Sequence, residues 1–515
     1  MLVVTTNQND FETDIHSLVK AFYPAEEVKI YLGDEAGLEV VSSDPGLPDI
    51  NINFIDNRIL MMLFLNDQED NGISEEDLSD EEKIRRAIGE SNKASSNIQV
   101  IGVDINETMS RLEVKNALKQ LLYYCLSNHT ETVLPWGALT GIRPAKIPMN
   151  LLADGYNEDE IITHMQEVYF CSKEKALLAL DIAKREREIL QGLDLHESYS
   201  LYIAIPFCPT TCLYCSFTSY PITRFRDVVL DYLTALFKEI DFIADLYKEK
   251  RLTTIYIGGG TPTTLTPKQL EQLLGKIKTS FDFTYLVEFT VEAGRPDSIT
   301  REKLAVLKTY GADRISINPQ SMNDKTLELI GRKHTVLDVS EAFKLAREMC
   351  FTNINMDLIL GLPEEELADV SETMRAVSEL KPDSITIHSL AIKRAAKLTE
   401  WVNENGLDSL LLTEEEMQIA ADGVVKLGMH PYYLYRQKNM AGNFENVGYA
   451  TPGKYGLYNI LMMEEVQTIV ALGAGSVSKR LYADGNVRRC DNVKEVDQYI
   501  DRISEMIERK RELFT

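Results

Sequence analysis

Three cysteines, Cys208, Cys212 and Cys215, stand at i, i+4 and i+7 in the segment CPTTCLYC. Three thiolates at that spacing on a short loop can converge on one inorganic centre, and thiolate sulfur suits both iron–sulfur clusters and zinc. Iron–sulfur clusters usually take four cysteines. With three, one iron of a cubane is left open to a small molecule. A structural zinc site takes four ligands in paired spacing, and this loop holds no histidine. The cysteines by themselves leave a cluster, a zinc site or a chance spacing open. Cys125, Cys171, Cys350 and Cys490 are scattered singly, as small buried hydrophobes are.

A second segment, Gly258-Gly259-Gly260-Thr261-Pro262, follows the next apolar run. Consecutive glycines let a ligand approach the backbone and use its N–H and C=O groups. A glycine run alone says little. A glycine run at the tip of a second strand, beside a cysteine loop at the tip of the first, says far more.

Those tips must be held by a scaffold. Short apolar runs at 200–206, 253–257, 285–291, 313–318, 353–358 and 383–388 alternate with stretches long enough for crossover helices. That rhythm predicts a parallel α/β sheet, closed or partly closed. Six units suggest an incomplete (β/α)6 barrel, whose chemistry belongs at the C-terminal strand ends, where both motifs fall. Ahead of it, Ile50, Ile52 and Phe54 alternate with Asn51 and Asn53, the pattern of a half-buried strand, and residues 59–65 follow as its partner. Residues 114–127 and 173–190 have helical spacing, and 134–144 is rich in turn formers. Residues 67–82 carry nine acidic side chains and no basic one, a solvated loop or an acidic docking segment. Past residue 395 the rhythm fades: 413–427 reads as helix, 430–460 as an irregular insertion, and 466–478 as a strand with a glycine turn. The expected division is an N-terminal α+β accessory domain (1–195), the barrel (196–395) and a C-terminal α+β extension (396–515).

The chain has 515 residues, 44% of them hydrophobic, enough for a sizeable core. Its 54 basic and 80 acidic side chains leave a net charge of −26. Binding to nucleic acid or to anionic membranes needs a basic field, so neither is expected. The seven cysteines are no disulfide framework, the opening residues carry no signal-peptide pattern, and the longest apolar run is too short to span a bilayer. A cytoplasmic location is the simplest expectation.

The two motifs together resemble the radical S-adenosylmethionine superfamily. The segments YIAIPFC (202–208), GGGTP (258–262), VEAGRP (291–296), GADRISINPQS (311–321), IGRKHT (330–335), MDLILGLP (356–363) and SITIHSLAI (384–392) resemble its oxygen-independent coproporphyrinogen III dehydrogenase branch (HemN- and HemW-like) in order and spacing. The LTGIRP stretch and the long N-terminal part are most similar to the HemZ type. The resemblance spans about residues 200–480.

The resemblance implies a [4Fe–4S] cluster on Cys208, Cys212 and Cys215, and one or two molecules of S-adenosylmethionine. It implies cofactor contacts from Tyr214, Gly259, Gly260, Thr261, Glu292, Gln320, Arg332, Asp357 and Ala391, and a catalytic position for Tyr202 near substrate and cofactor. Arg332 can meet a carboxylate as a fork, and Glu292 and Asp357 can accept from ribose hydroxyls or an ammonium. His334 and His388 read as structural. The implied activity is that of a radical-SAM oxidoreductase in haem biosynthesis. A 5′-deoxyadenosyl radical takes hydrogen from propionate side chains, and oxidative decarboxylation of two of them turns coproporphyrinogen III into protoporphyrinogen IX. A tetrapyrrole substrate and an electron donor such as flavodoxin or ferredoxin follow. Arg143, Arg295, Arg436 and Lys438 are candidates to meet the substrate's carboxylates.

The chain departs from the dehydrogenase proper in three places. Phe217 stands where that enzyme has a fourth cysteine, Ala204 where it has a histidine, and Lys479 where it has an apolar cofactor contact. The haem-chaperone relatives carry a His-Asn-x-x-Tyr-Trp motif, and the nearest match here, residues 458–463 (YNILMM), lacks the histidine and the Tyr-Trp pair. A haem chaperone and a radical enzyme acting on haem itself are the competing readings.

Overall fold

A computed structural model describes residues 1–24, 26–33, 49–55, 57–64, 98–217, 219–393, 396–406, 410, 412–437 and 441–515. They divide into two units, 1–142 with 154–177, and 143–153 with 178–515.

The first unit is built on five strands, β1 (Leu2–Thr6), β2 (Val28–Leu32), β3 (Ile50–Ile55), β4 (Arg58–Phe64) and β5 (Ile98–Asp104), in the order β2-β1-β3-β4-β5. β1 runs parallel to β2 and β3, and β3, β4 and β5 are antiparallel. The expected strand pair around residues 50–65 is β3–β4, turned through Asn57 in the left-handed region at φ 63°. Asn51 and Asn53, expected on a solvated face, are buried instead. The Asn51 amide donates to Thr5 Oγ1 at 2.7 Å and the Asn53 amide to Asn51 Oδ1 at 2.5 Å. Buried amides need partners, and these strands supply them. The acidic run 67–82 lies outside the described residues. The helix Arg111–Thr130 covers the predicted helical span, begun by a Ser110–Glu113 capping box.

The second unit carries β6 (Ser198–Ile205), β7 (Phe207–Cys208), β8 (Tyr220–Pro221), β9 (Arg251–Gly259), β10 (Glu288–Gly294), β11 (Arg314–Ile317), β12 (Ile354–Leu360) and β13 (Ser384–Ser389). The six predicted strands are β6, β9, β10, β11, β12 and β13, neighbours in that order and all parallel. Helices such as Val229–Leu246, Pro267–Ser280 and Val336–Glu348 cross between them.

The C-terminal residues extend the same sheet at both edges. β14 (His430–Tyr435) and β15 (Asn446–Ala450) join antiparallel beside β13. β16 (Thr468–Leu472) lies parallel to β6, followed by the antiparallel strands β17 (Val477–Leu481) and β18 (Val487–Asp491). Among the described residues of 430–460, two segments are strands of this sheet rather than an irregular insertion. Their short polar-aromatic strands lack a long apolar period and are fixed by pairing with β13.

The N-terminal ends of the parallel strands are closed by a polar network. Glu288 accepts from the Leu457 N–H at 2.5 Å and so anchors the start of the helix Leu457–Glu464. Arg314 donates to the Lys454 carbonyl at 2.9 Å and to Ser384 Oγ at 2.9 Å, and the Gln467 amide donates to Thr253 Oγ1 at 3.0 Å. The opposite, C-terminal ends are left for chemistry.

Candidate functional site

Cys208 ends β7 and therefore follows β6 directly. The two-residue pairing of β7 with β8, and a 2.8 Å hydrogen bond from the Tyr220 N–H to the Pro206 carbonyl, pin the loop's two ends together. Within the loop the Cys215 N–H donates to the Cys212 carbonyl at 3.2 Å. Outside it, the Leu213 N–H donates to the Ile330 carbonyl at 3.0 Å and Thr210 Oγ1 to the Gly331 carbonyl at 3.1 Å. The loop is thus held against the segment that carries Arg332.

Two buried arginines complete its support. Arg295 donates to Thr210 Oγ1 at 2.6 Å, approaches Cys212 Sγ at 4.0 Å, and is paired with Asp297 at 2.9 Å. Arg332 donates to the Tyr214 hydroxyl at 3.0 Å and to the Asn318 carbonyl at 2.5 Å, and its Nε has no partner. One edge of the expected fork is therefore spent on the protein, and Nε remains. Thr261 Oγ1 donates to Cys208 Sγ at 3.6 Å. Burial raises the Cys208 thiol to about 11, against the pull of Thr261, and raises Cys215 as well. Thiols so buried ionise only when a cationic centre compensates them.

No three His, Cys, Asp or Glu side chains among the described residues gather around a single ion. A cubane does not ask for that, because its three protein sulfurs bind three different irons. The donor set, all sulfur and without histidine, fits a cluster, and unpaired buried atoms fit a polar ligand next to it. Gln320 Oε1 and Arg332 Nε are both buried and without partners. Gln320 also holds a left-handed φ of 72°, fixed by a 3.0 Å bond from its N–H to the Asp357 carbonyl and a 2.9 Å bond from the Ile359 N–H to its own carbonyl. A non-glycine residue held there is strained, and such strain collects at functional positions.

The glycine turn closes β9. Gly259 has a φ of 104°, and a Cβ on Gly260 would lie 2.6 Å from the Phe207 carbonyl oxygen. That carbonyl accepts from the Thr261 N–H at 2.7 Å, which ties the turn to the residue before Cys208. Only glycine permits this approach.

Partly exposed polar side chains recur along the strands: Tyr202, Tyr256, Glu292, Asp357 and His388. Their chain neighbours are buried and mostly apolar. Tyr256 stacks on Tyr202 at 6.0 Å and on Tyr458 at 4.6 Å between ring centres. Its hydroxyl donates to Glu292 Oε1 at 2.5 Å. Burial lifts the Glu292 carboxyl to about 7, with Tyr256 and the Gly259 N–H opposing and Asp357 adding to the rise. Asp357 goes the other way: burial opposes its charge, but His388, Asn355 and Thr386 hold it below the usual carboxylate range. The Asn355 amide reaches Asp357 Oδ1 at 2.7 Å, and His388 Nε2 stands 3.9 Å from the same atom. Ala391 lies two residues beyond β13 and is half-buried.

The arginines expected to await substrate are committed elsewhere. Arg143 pairs with Glu465 at 3.1 Å, Arg436 donates to Asn443 Oδ1 at 2.6 Å, and Arg295 clamps the cysteine loop. Lys438 lies outside the described residues. Lys479 pairs with Glu465 at 3.0 Å. His334 is buried with both ring nitrogens unpaired, and burial beside Arg332 lowers it to about 4. Tyr256, not among the expected site residues, stands two residues before Gly258, on the same strand face, and that spacing is its one signal in the sequence.

Residues 202–377 match the model of the radical SAM superfamily. The chain is 40% identical over 412 residues to the oxygen-independent coproporphyrinogen-III oxidase-like protein HemZ of Bacillus subtilis (strain 168), covering 79% of this chain and 82% of that one. The chain belongs to the radical SAM superfamily, in the HemZ family. This radical SAM protein is also 34% identical over 310 residues to the haem chaperone HemW of the same organism, covering 59% of this chain and 76% of that one. The solved structure of coproporphyrinogen III oxidase (HemN) from Escherichia coli, a radical SAM enzyme, aligns over 62% of this chain and 73% of that one, at 22% identity and a TM-score of 0.49. As in its superfamily, the cofactors of this radical SAM protein are a [4Fe–4S] cluster and S-adenosylmethionine. No helix among its described residues is long and apolar enough to cross a membrane.

Proposed function

We propose that this protein is an oxygen-independent coproporphyrinogen III dehydrogenase of haem biosynthesis, working in the cytoplasm. The observation that carries this reading is the meeting of the cysteine loop, the glycine turn and the unpaired Gln320 and Arg332 atoms at one end of the parallel sheet. The 40% identity to a coproporphyrinogen-III oxidase-like relative supports the substrate class.

In this reading Cys208, Cys212 and Cys215 hold the cluster. When bound, cluster and S-adenosylmethionine supply a radical able to take a hydrogen atom from unactivated carbon. Gly259, Gly260 and Thr261 offer backbone to the cofactor, Glu292 and Asp357 accept from its hydroxyls or ammonium, and Arg332 Nε and Gln320 meet its polar end. Tyr214 and Ala391 line the same cofactor. Tyr202, stacked on Tyr256, presents the catalytic aromatic face towards substrate. Each propionate loses carbon dioxide, one hydrogen atom to the radical and one further electron to a one-electron acceptor, and becomes a vinyl group. Residues 1–195 serve as an accessory domain, 196–395 as the catalytic barrel and 396–515 as its extension.

The likeness to HemW favours a second reading, a haem chaperone. Against it stands the placement of Tyr458, where the chaperone motif would begin. Tyr458 is buried in the tyrosine stack, and the start of its helix is bound to Glu288. No histidine lies in 458–463.

Anaerobic incubation with coproporphyrinogen III, S-adenosylmethionine and a reductant decides between them. Protoporphyrinogen IX with matching 5′-deoxyadenosine is the expected product. Tight haem binding without turnover would replace the proposal with the chaperone, and a methylated or opened tetrapyrrole would replace it with haem degradation.

A further inference from the structure

Acidic side chains are common in this chain, 80 in 515 residues, yet three segments around the cysteine loop have none. Residues 198–226, 329–337 and 384–399 contain no Asp or Glu and hold two, two and three Lys or Arg respectively. The structure brings parts of all three together. The Leu213 N–H donates to the Ile330 carbonyl at 3.0 Å, and the Leu398 N–H donates to the Leu213 carbonyl at 2.9 Å. Ile330, Leu390, Ala396 and Leu398 form one small apolar core with Leu213 and Tyr214 packed against it.

Three cations stand on the segments flanking that core. Lys333 and Lys397 are exposed and Lys393 is half-buried. None of the three ammonium groups has an ion-pair or hydrogen-bond partner among the described residues. Burial lowers Lys393, and no carboxylate among the described residues counters it. Phe217, two residues after Cys215, is 76% exposed. An exposed aromatic on the cysteine loop, with exposed or half-buried cations on the two acid-free segments bonded to that loop, on a protein of net charge −26, has the make-up of a docking patch.

We propose that Lys333, Lys393 and Lys397, with Phe217, form the docking face for an acidic one-electron carrier protein that reduces the cluster. The inference rests on the reading of Cys208, Cys212 and Cys215 as cluster ligands. The carrier gives up one electron and is oxidised, and the cluster takes it and falls from the 2+ to the 1+ state, with no bond made or broken. The overall charge repels an acidic carrier elsewhere on the surface, so a local basic face both raises the encounter rate and selects where the carrier lands. A small anionic substrate is the weaker fit, because exposed lysines on outer segments and an exposed phenyl ring suit a broad partner.

The test is stopped-flow reduction of the anaerobically reconstituted full chain by a reduced flavodoxin, followed through the cluster's visible absorption. Photoreduction by deazaflavin serves as the control for the cluster. For the natural chain the second-order rate should fall steeply with added salt. Lys333→Glu, Lys393→Glu and Lys397→Glu combined should slow it at least about tenfold, and the matching Gln variants should give a smaller loss that keeps folding out of question. Photoreduction should stay unchanged. A flavodoxin rate indifferent to salt and to the triple variant overturns the proposal. A raised KM for the tetrapyrrole with an unchanged flavodoxin rate also overturns it and gives the lysines to the substrate. Failure of photoreduction in the natural chain overturns the cysteine assignment, and the docking face with it.

Discussion

Tyr256 donates its hydroxyl to Glu292 at 2.5 Å across neighbouring strands, and this bond favours the charged form of a carboxyl that burial disfavours. Burial raises the Glu292 carboxyl to about 7, and Tyr256 is the largest opposing influence. The ionised carboxylate accepts from a ribose hydroxyl or an ammonium more strongly than the neutral acid does. Binding of S-adenosylmethionine should therefore weaken as pH falls through about 7. Tyr256→Phe removes a contact that favours the charged form, so the midpoint should move to higher pH. Calorimetric titration of the reconstituted protein across neutral pH checks both; a midpoint that stays put in Tyr256→Phe refutes the assignment.

The same carboxyl makes a stability prediction of opposite sense. Its folded pKa lies above its ordinary value of 4.5. The native state thus binds the proton more tightly, and that stabilisation is full below the ordinary value and lost as pH rises through about 7. Glu292→Gln should gain on the natural chain at alkaline pH, by at most about 3 kcal/mol and less for a carboxylate that solvent partly reaches. The gain should shrink as pH falls below about 7 and vanish below about 4.5. Thermal melting of both proteins at two pH values reads it.

Lys510 and Glu239 form an ion pair of 2.7 Å with both side chains fully buried. Glu239 also accepts from Tyr499 at 2.6 Å and from the Gly473 N–H at 2.8 Å, and Lys510 donates to Asn492 at 2.6 Å. Lys510→Met leaves a buried carboxylate short of its cation and should cost about 3–5 kcal/mol. Adding Glu239→Gln should recover part of that loss. Denaturant unfolding measures it, and a loss below about 1 kcal/mol would show that the pair is reached by water.

Replacing Cys208, Cys212 or Cys215 singly by serine should remove most of the iron bound on anaerobic reconstitution. Cys350→Ser and Cys490→Ser should leave it unchanged, since neither lies on the loop. Iron analysis and electron paramagnetic resonance of the reduced protein report the result; equal losses in all five variants would point to general misfolding.

Gly260→Ala should weaken S-adenosylmethionine binding at least about tenfold, roughly 1.4 kcal/mol. The new methyl would stand 2.6 Å from the Phe207 carbonyl, so the turn and the start of the cysteine loop cannot both stay in place. Equilibrium binding to the reconstituted variant checks this.

Much of this protein was legible in its residues because the signals are local. Six strands were readable since apolar runs of a few residues alternate with helical stretches. The cysteines and glycines were readable since their spacing along one loop or turn is itself the chemistry. Residues 430–460 were not, because β14 and β15 owe their form to pairing with β13, a neighbour distant in sequence. The same holds for side-chain commitments. Arg143, Arg295 and Arg436 look free along the chain, yet each is bound by a group that only folding brings near. What type and spacing determine is which groups exist and where along each strand they fall. What tertiary structure decides is which of them keep an unpaired atom, as Gln320 and Arg332 do, because a charge or hydrogen bond is spent on whatever partner lies within about 3 Å in space.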